Sequence, residues 1–523
     1  MTMNKTDIYA IPKEKFVFAE NQDRFHDKKL QTKQVSYFQD VCRRFAKNKS
    51  SVVAAVIIAI LLLFALIGPL MINEDYVESY QTETMLTSYK YLLPRLSFMD
   101  GTGIWDGSKK AELSETQYLI MKAKETETGR QVIEKVISTR QTTDIDGSVS
   151  TLYTVRINTY TSLNCFTQTY TWDDYKALMD WQDEHGIQVI LPYVDDSATG
   201  TQGCIDANVW FKSDRKGNPE YDADGNLQYA YSVKGTDNYT STMRLENDPW
   251  TEENPKAGWR YAKRNGKQAS GYSYVLRLDP YNFFIYKYGF EPSFMFGTDA
   301  KGYDIFSRLA NGARFSFLLA IVVSALNLLI GAIYGAVEGY YGGAVDMIME
   351  RISDILSGVP FTVVTVLFSL HLTAKIGVIP SLLLAFVSTG WIGMASRVRM
   401  QFYRFKNQEF VLAARTLGAS DARIMFKHVF PNSLGTIITG SILVIPGVIF
   451  SETSLTYLGI INLDSATRSS IGAMLSSGQS CMTTAPHVVL FPALFIALLM
   501  ISFNLFGNGL RDAFNPSTRG VDA

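Results

Sequence analysis

Histidine and cysteine are scarce in this sequence, and neither is grouped. Five histidines are spread singly, and Cys42, Cys165, Cys204 and Cys481 form no Cys-x-x-Cys or Cys/His spacing. A metal site is therefore not expected. Cys165 and Cys204 share one polar region, but a lone pair is no disulfide framework, and two free thiols are expected there. The chain has no Gly-x-x-x-x-Gly-Lys-Ser/Thr loop, which excludes P-loop binding of ATP, and it also lacks a Gly-x-Ser-x-Gly elbow and a His-Glu-x-x-His pair. Neither catalysis nor a cofactor is expected of this polypeptide. A net charge of −1 supplies no field for nucleic acid.

Long apolar runs are abundant. They predict six spans, at about 52–72, 315–338, 353–374, 378–396, 433–457 and 486–508. The first begins behind some fifty polar residues, so a cleavable signal peptide is not expected. The basic group Arg43, Arg44, Lys47 and Lys49 precedes that span and places the N-terminus in the cytoplasm. Just before it, Phe38, Val41 and Phe45 at helical spacing read as an interfacial helix. Alternation then puts the loop 397–432 and the C-terminus inside. That loop carries seven Arg and Lys residues against Glu409 and Asp421, whereas 458–485 has only Asp464 and Arg468. The span middles lack the ionisable relay that an ion-coupled transporter requires. Glu338 and Asp354, near the cytoplasmic ends, are expected to pair with neighbouring bases.

Between spans one and two lies a long polar insert. Residues 73–299 hold 33 acidic and 23 basic side chains, and the remainder 17 and 26, so two different environments are implied. Alternating residues around Asp146-Gly147, a second alternating stretch at 208–233 and a helical run from Trp172 to Gly186 predict a folded α+β domain. The turns at Asp144–Gly147 and Asp222–Gly225 lack the further ligands of a calcium loop and read as hairpin turns. The predicted organisation is 1–50, a cytoplasmic segment ending in the interfacial helix; 51–72, the first span; 73–290, the extracellular insert; 291–516, a core with five spans and the cytoplasmic loop 397–432; and 517–523, a cytoplasmic tail.

Within that loop, EFVLAARTLGASDARIMFKHVFPN at 409–432 carries its own punctuation. Phe410, Val411, Ala413, Ala414 and Leu417 recur at helical spacing and predict one apolar edge, kept low by its alanines. Gly418 ends this helix, Ser420 caps a second one with Asp421 in its first turn, and Pro431 closes it.

This stretch resembles the EAA loop of the permeases of ABC importers, in the version of the oligopeptide and dipeptide systems. Ala413, Ala414, Gly418 and Pro431 match, as do Arg415, Ser420, Arg423, His428 and Asn432, while Leu412 stands where the family often has glutamate. The entry FGTDAKGYDIFSRLANGARFSFLLA also resembles that family, with Tyr303 replacing the usual arginine. So do GYYGG at 339–343, SETSLTYLG at 451–459 and the tail with Gly509, Leu510, Arg511, Asp512 and Pro516. Asp464 falls where a Pro-rich continuation is usual.

The resemblance implies a mainly α, six-span type I importer permease in a bacterial cell membrane. It further implies a second related permease, two ABC ATPases, an extracytoplasmic peptide-binding (lipo)protein and a peptide substrate. The coupling residues would be Glu409, Ala413, Ala414, Arg415, Gly418, Ala419, Ser420, Asp421, Arg423 and Pro431. Glu452, Ser454 and Leu458 would lie at the gate. The insert goes beyond the resemblance. Docking of the binding protein is its preferred role, beside capping the pore, binding substrate or spacing. The rival readings are a membrane receptor or sensor, an ion-coupled transporter, and ABC import of another small substrate such as nickel.

Overall fold

The structure is a computed structural model that describes residues 37–71, 88–143, 149–191, 223–224, 263–264, 273–464 and 469–514. Helix α1 (Tyr37–Lys47) stops at Asn48, whose side chain accepts from the Ser51 amide and caps α2 (Lys49–Ile67). Phe45 on α1 packs edge-on against Phe506 near the end of the last helix, so α1 leans on the helix core.

The polar insert follows as two small sheets. Strands β1 (Ser108–Ser114), β2 (Ile133–Thr143) and β3 (Val149–Asn158) form an antiparallel sheet in the order β1-β3-β2, with α3 (Glu115–Thr128) against one face. The second sheet has β4 (Phe166–Tyr170), β5 (Ile190–Leu191) and β6 (Lys263–Arg264) all antiparallel to β7 (Tyr274–Leu278). Helices α4 (Trp172–His185) and α5 (Pro280–Tyr288) complete it, each ended by a left-handed glycine, Gly186 and Gly289. Fully buried Tyr89, Tyr160, Tyr175, Tyr274 and Phe284 make this core aromatic. The pairing of β2 with β3 agrees with the hairpin expected around Asp146-Gly147; its turn, and the hairpin expected at 208–233, lie outside the described residues. Cys165 is disulfide-bonded, which corrects the expectation of free thiols; Cys204 lies outside the described residues.

The rest is helical: α6 (Ile305–Tyr341), α7 (Gly343–Ser357), α8 (Phe361–Ile376), α9 (Val378–Gly390), α10 (Ile392–Phe405), α11 (Glu409–Thr416), α12 (Asp421–Arg423), α13 (Phe430–Ile442), α14 (Val444–Tyr457), α15 (Ile471–Gly478) and α16 (His487–Phe514). Five helices or continuous helical runs among the described residues are long and apolar enough to cross a membrane: Lys49–Leu70, Ile305–Tyr341, Val378–Phe405, Asp421–Tyr457 and His487–Phe514. The span expected at 353–374 falls across the pair α7 and α8, which is bent by 71°. Pro360 lies at the break; it has no amide to donate and disfavours helix in the residue before it.

Helix α6 is the spine. Its 37 residues reach about 55 Å at a rise of ~1.5 Å per residue, well beyond the ~30 Å hydrocarbon layer. It is longer than the predicted 315–338 because Asp304 caps it early, accepting from the Phe306 and Ser307 amides. Gly331, Gly335 and Gly339, one turn apart, face α10. A Cβ at Gly331 would lie 2.7 Å from Met394 Cβ, and one at Gly339 would lie 2.8 Å from the Arg399 carbonyl oxygen. Glycine here lets two spans meet backbone to backbone.

Candidate functional site: the helix–turn–helix after α10

The loop after α10 folds as α11, a sharp turn and α12. Val411 is fully buried in a core that includes Phe402, Ile424, Met425 and Val429, and Ala414, 8% exposed, also turns inward. Phe410, Leu412 and Ala413 turn outward, as does Leu417, which is 88% exposed. The single apolar edge expected from sequence is therefore two faces. Positions 410, 413, 414 and 417 share one stripe at helical spacing, and burial divides it: Ala414, on the side toward Val411, is covered, while Phe410, Ala413 and Leu417 stay open. Ala414 is a packing residue of the chain's own core. The outward apolar surface belongs to Phe410, Ala413 and Leu417.

Gly418 ends α11 at φ +80°, as its identity predicted. The Gly418 amide donates to the Arg415 carbonyl at 3.0 Å and the Ala419 amide to the Ala414 carbonyl at 3.0 Å. These are the two bonds of a Schellman closure. Ala419 is half-buried against the same core. Ser420 has the extended backbone of an N-cap, but its side chain makes no capping bond. Glu409 lies in the first turn of α11, where its charge favours the helix dipole, and Arg423 is exposed.

Pro431 does not close the second helix. The chain runs on through a π-helical turn, Ile424–Val429, into α13, giving one continuous run Asp421–Tyr457. The wider π turn absorbs the missing proline amide, and Pro431 sits in the first turn of α13, where that amide has no obligatory partner. The turn is thus an extension of a membrane-spanning element.

Tyr340 ties the turn to α6, and two further contacts brace α10, the helix before it. Tyr340, at the C-terminal end of α6, donates from its hydroxyl to Asp421 Oδ1 at 2.6 Å and accepts from Arg415 Nη2 at 3.4 Å. Lys406 Nζ donates to the Gly339 carbonyl at 3.0 Å. Arg399 on α10 makes paired bonds to Asp346 at 2.6 and 2.9 Å and to Glu350 at 2.7 and 2.9 Å on α7. Glu338 lies 3.6 Å from Arg399, and Asp354 3.0 Å from Arg351, so both acids have the basic neighbours expected of them. Sequence reasoning counted Arg399 and Lys406 only as charge and Tyr340 only as part of a tight turn. All three lie at the Gly339 end of the glycine-lined contact, where residues distant in sequence meet.

The residues assigned to the gate do not converge. Glu452 is fully buried and accepts from Ser316 Oγ at 2.8 Å and Thr456 Oγ1 at 3.2 Å. Ser454 donates to the Phe450 carbonyl and lines a mostly apolar cleft of about 350 Å³ with Tyr457 and Met482. Leu458 is exposed at the end of α14. Just beyond, Asp464 is paired with Lys301 at 2.8 Å and with Arg308, which also lies 3.4 Å from Asp299. Burial works to raise the Asp464 carboxyl, but Arg308 and then Lys301 outweigh it and hold it below the usual range. Burial instead raises Asp299, with Arg308 opposing.

Residues 327–520 match the family described as the binding-protein-dependent transport system inner membrane component, and residues 36–94 match the N-terminal transmembrane domain of oligopeptide transport permease C. The oligopeptide transport system permease protein OppC of Bacillus subtilis is 44% identical over 224 residues, which is 43% of this chain and 72% of that protein. The chain belongs to this family of ABC permeases, in its oligopeptide and dipeptide branch. The dipeptide transport system permease protein DppC of Bacillus subtilis is 41% identical over 43% of this chain and 69% of its own length. OppC of Haemophilus influenzae is 40% identical over 43% and 70%. The helix–turn–helix of this permease falls inside the matched region, and residues 95–326 fall outside both family models.

Proposed function

We propose that this permease takes up oligopeptides or dipeptides delivered by an extracytoplasmic binding protein. It works with a second related permease and two ABC ATPases, which grip the turn between α11 and α12. The carrying observation is the two-sided α11. Its inner face is locked to the chain's core, its outer face offers Phe410 and Leu417 to a partner, and Tyr340 ties the turn to α6. Force applied at Leu417 then reaches α6 through Tyr340 and α10 through the glycine contact, without passing through a flexible joint. Leu412 in place of glutamate fits attachment by apolar packing. The chain itself holds no P-loop, so ATP hydrolysis belongs to the partner.

Six spans, with α7 and α8 as one broken span, put the turn and both termini in the cytoplasm and the insert outside. The basic excess of 397–432 supports this orientation, and so does the disulfide at Cys165, since disulfides persist in oxidising compartments. The acidic insert steers the binding protein to the outer mouth.

The test is co-purification with the ATPases, together with peptide-stimulated ATP hydrolysis, for Gly418→Pro and Tyr340→Phe. Proline cannot adopt φ +80° and removes the amide bonded to Arg415, so the first variant is expected to lose ATPase attachment. The second loses one hydroxyl bridge of about 1 kcal/mol and should retain attachment with weaker coupling. Normal import by Gly418→Pro would overturn the assignment.

A further inference from the structure

The insert carries an apolar loop at its base, in a region that neither family match covers. Residues 96–106 leave the sheet core and return to it, with the Leu96 amide donating to the Trp105 carbonyl at 2.7 Å. The loop is built, not slack. Arg95 holds Asp100 through two bonds at 2.6 and 3.1 Å, and it anchors to the Pro292 carbonyl at 3.0 Å. Asp106 accepts from the Gly103 amide at 2.7 Å and from Arg156 at 2.8 Å. Both acids of the loop are thus neutralised by arginines rooted in the insert. What remains pointing out is apolar: Phe98 is 83% exposed, Ile104 65% and Trp105 41%. Trp105 also holds φ +53°, a conformation that bulky side chains avoid, so the surroundings impose its direction.

That direction is toward the spans. The Trp105 ring stacks on Phe491 with centroids 6.3 Å apart and planes 16° from parallel, and Phe491 stacks in turn on Phe296 at 4.3 Å. Phe491 lies four residues into α16, about 6 Å along its axis. Its neighbours Leu490 and Leu494 begin an exposed stripe that continues through Leu498, Ile501 and Leu505. The exposed face of the loop is therefore level with, and continuous with, the apolar flank of a membrane-crossing helix. Lys109 and Lys110 follow directly, exposed and without an acidic partner among the described residues.

We propose that residues 98–105 dip into the outer leaflet of the bilayer. Phe98 and Ile104 sit in its apolar boundary and Trp105 at headgroup level, with the exposed Lys109 and Lys110, on opposite faces of β1, flanking the loop beside the lipid phosphates. Exposed aromatics with flanking lysines are the composition that the membrane–water interface selects, because each has an apolar body and a polar or charged tip. The loop thereby fixes the height and tilt of the insert over the pore mouth. This rests on α16 spanning the bilayer as in the proposed permease.

The test uses the full chain, assembled with its partner subunits in nanodiscs, with Cys42 and Cys481 replaced by serine. Single cysteines at Phe98, Ile104, Leu494 and Ser138 carry spin labels. Collision with oxygen, which concentrates in lipid, is compared with collision with a water-soluble nickel chelate. Labels at 98 and 104 should match the lipid-facing Leu494 control and show an oxygen-to-nickel ratio severalfold above that of the insert control, Ser138. Trp105→Phe, needing no label, should lower the fraction of tryptophan emission quenched by brominated lipid. Water-like values at 98 and 104 beside a lipid-like Leu494 would overturn the loop alone, as would shielding from both reagents, which would mean a protein partner. A water-like Leu494 would overturn the permease reading and the loop together.

Discussion

Helix α6 is clamped at both ends, and the two clamps are built from different chemistry. At its C-terminal end a neutral phenol, Tyr340, joins Arg415 to Asp421. At the other end a buried guanidinium, Arg308, lies between Asp299 and Asp464 with its Cζ 4.5 Å from the Tyr303 ring. The first clamp leaves an apolar surface open beside it, at Leu417 and Phe410. The second is closed within the chain, joining the start of α6 to the loop after α14. Near Arg308 the base of the insert is also sewn on: the Tyr91 amide donates to the Asp299 carbonyl and the Leu92 amide to Thr298 Oγ1. A neutral bridge of about 1 kcal/mol suits a part that must move with a partner. A desolvated ion pair, costly to break from one side, suits a part that must hold its place.

The largest expected effect comes from breaking the outer clamp. Arg308→Met leaves buried Asp299 without its cation and Asp464 with only the exposed Lys301, and removing one partner of a buried pair costs about 3 kcal/mol or more. Thermal unfolding of the purified permease should show a clear drop in midpoint, while the isolated ATPase contact is preserved. An unchanged midpoint would erase the distinction between a holding clamp and a moving one.

Next is the open face at the inner end. Leu417→Asp places a charge on a residue that already faces water, so the fold should keep its stability. ATPase affinity should fall about tenfold, a change of about 1.4 kcal/mol. Val411→Asp on the same helix should do the reverse and damage the fold before the contact, because it buries an unpaired carboxylate. Equal behaviour of the two variants in a paired stability and pull-down assay would mean that α11 has no separate faces.

The family, the helical core and the position of the turn were legible because they depend on local rules: apolar length, glycine where φ is positive, and charge near span ends. Gly418 is the plainest case, since its left-handed role follows from the missing Cβ. The division of Ala413 from Ala414 was not legible. Both are alanines on one short helix, and only the folded chain, which buries Ala414 and leaves Ala413 exposed, tells which one turns inward. Pro431 misled for a similar reason: a proline ends a helix by local rules, and only a π turn upstream lets the helix pass through. The clamps were invisible because their members are far apart in sequence, 156 residues in the case of Arg308 and Asp464.

The smallest effect expected is the pH dependence of the outer clamp, and it separates its two carboxylates. Asp464 is held below its ordinary value, so the stability it contributes is fully present above the unfolded aspartate pKa of about 3.9 and is lost as pH falls through its folded value. Asp299 is raised, so it takes up its proton first on acidification, at a pH above 3.9, and favours the fold as it does. Between neutral pH and the pKa of Asp464, Arg308 therefore keeps at least one charged partner. The difference in unfolding midpoint between the permease and Asp464→Asn should stay constant from neutral pH down to about 4 and shrink only below that. A difference that vanished already near pH 6 would show that Asp464 is not the acid that keeps Arg308 neutralised, and the outer clamp would then rest on Asp299 alone.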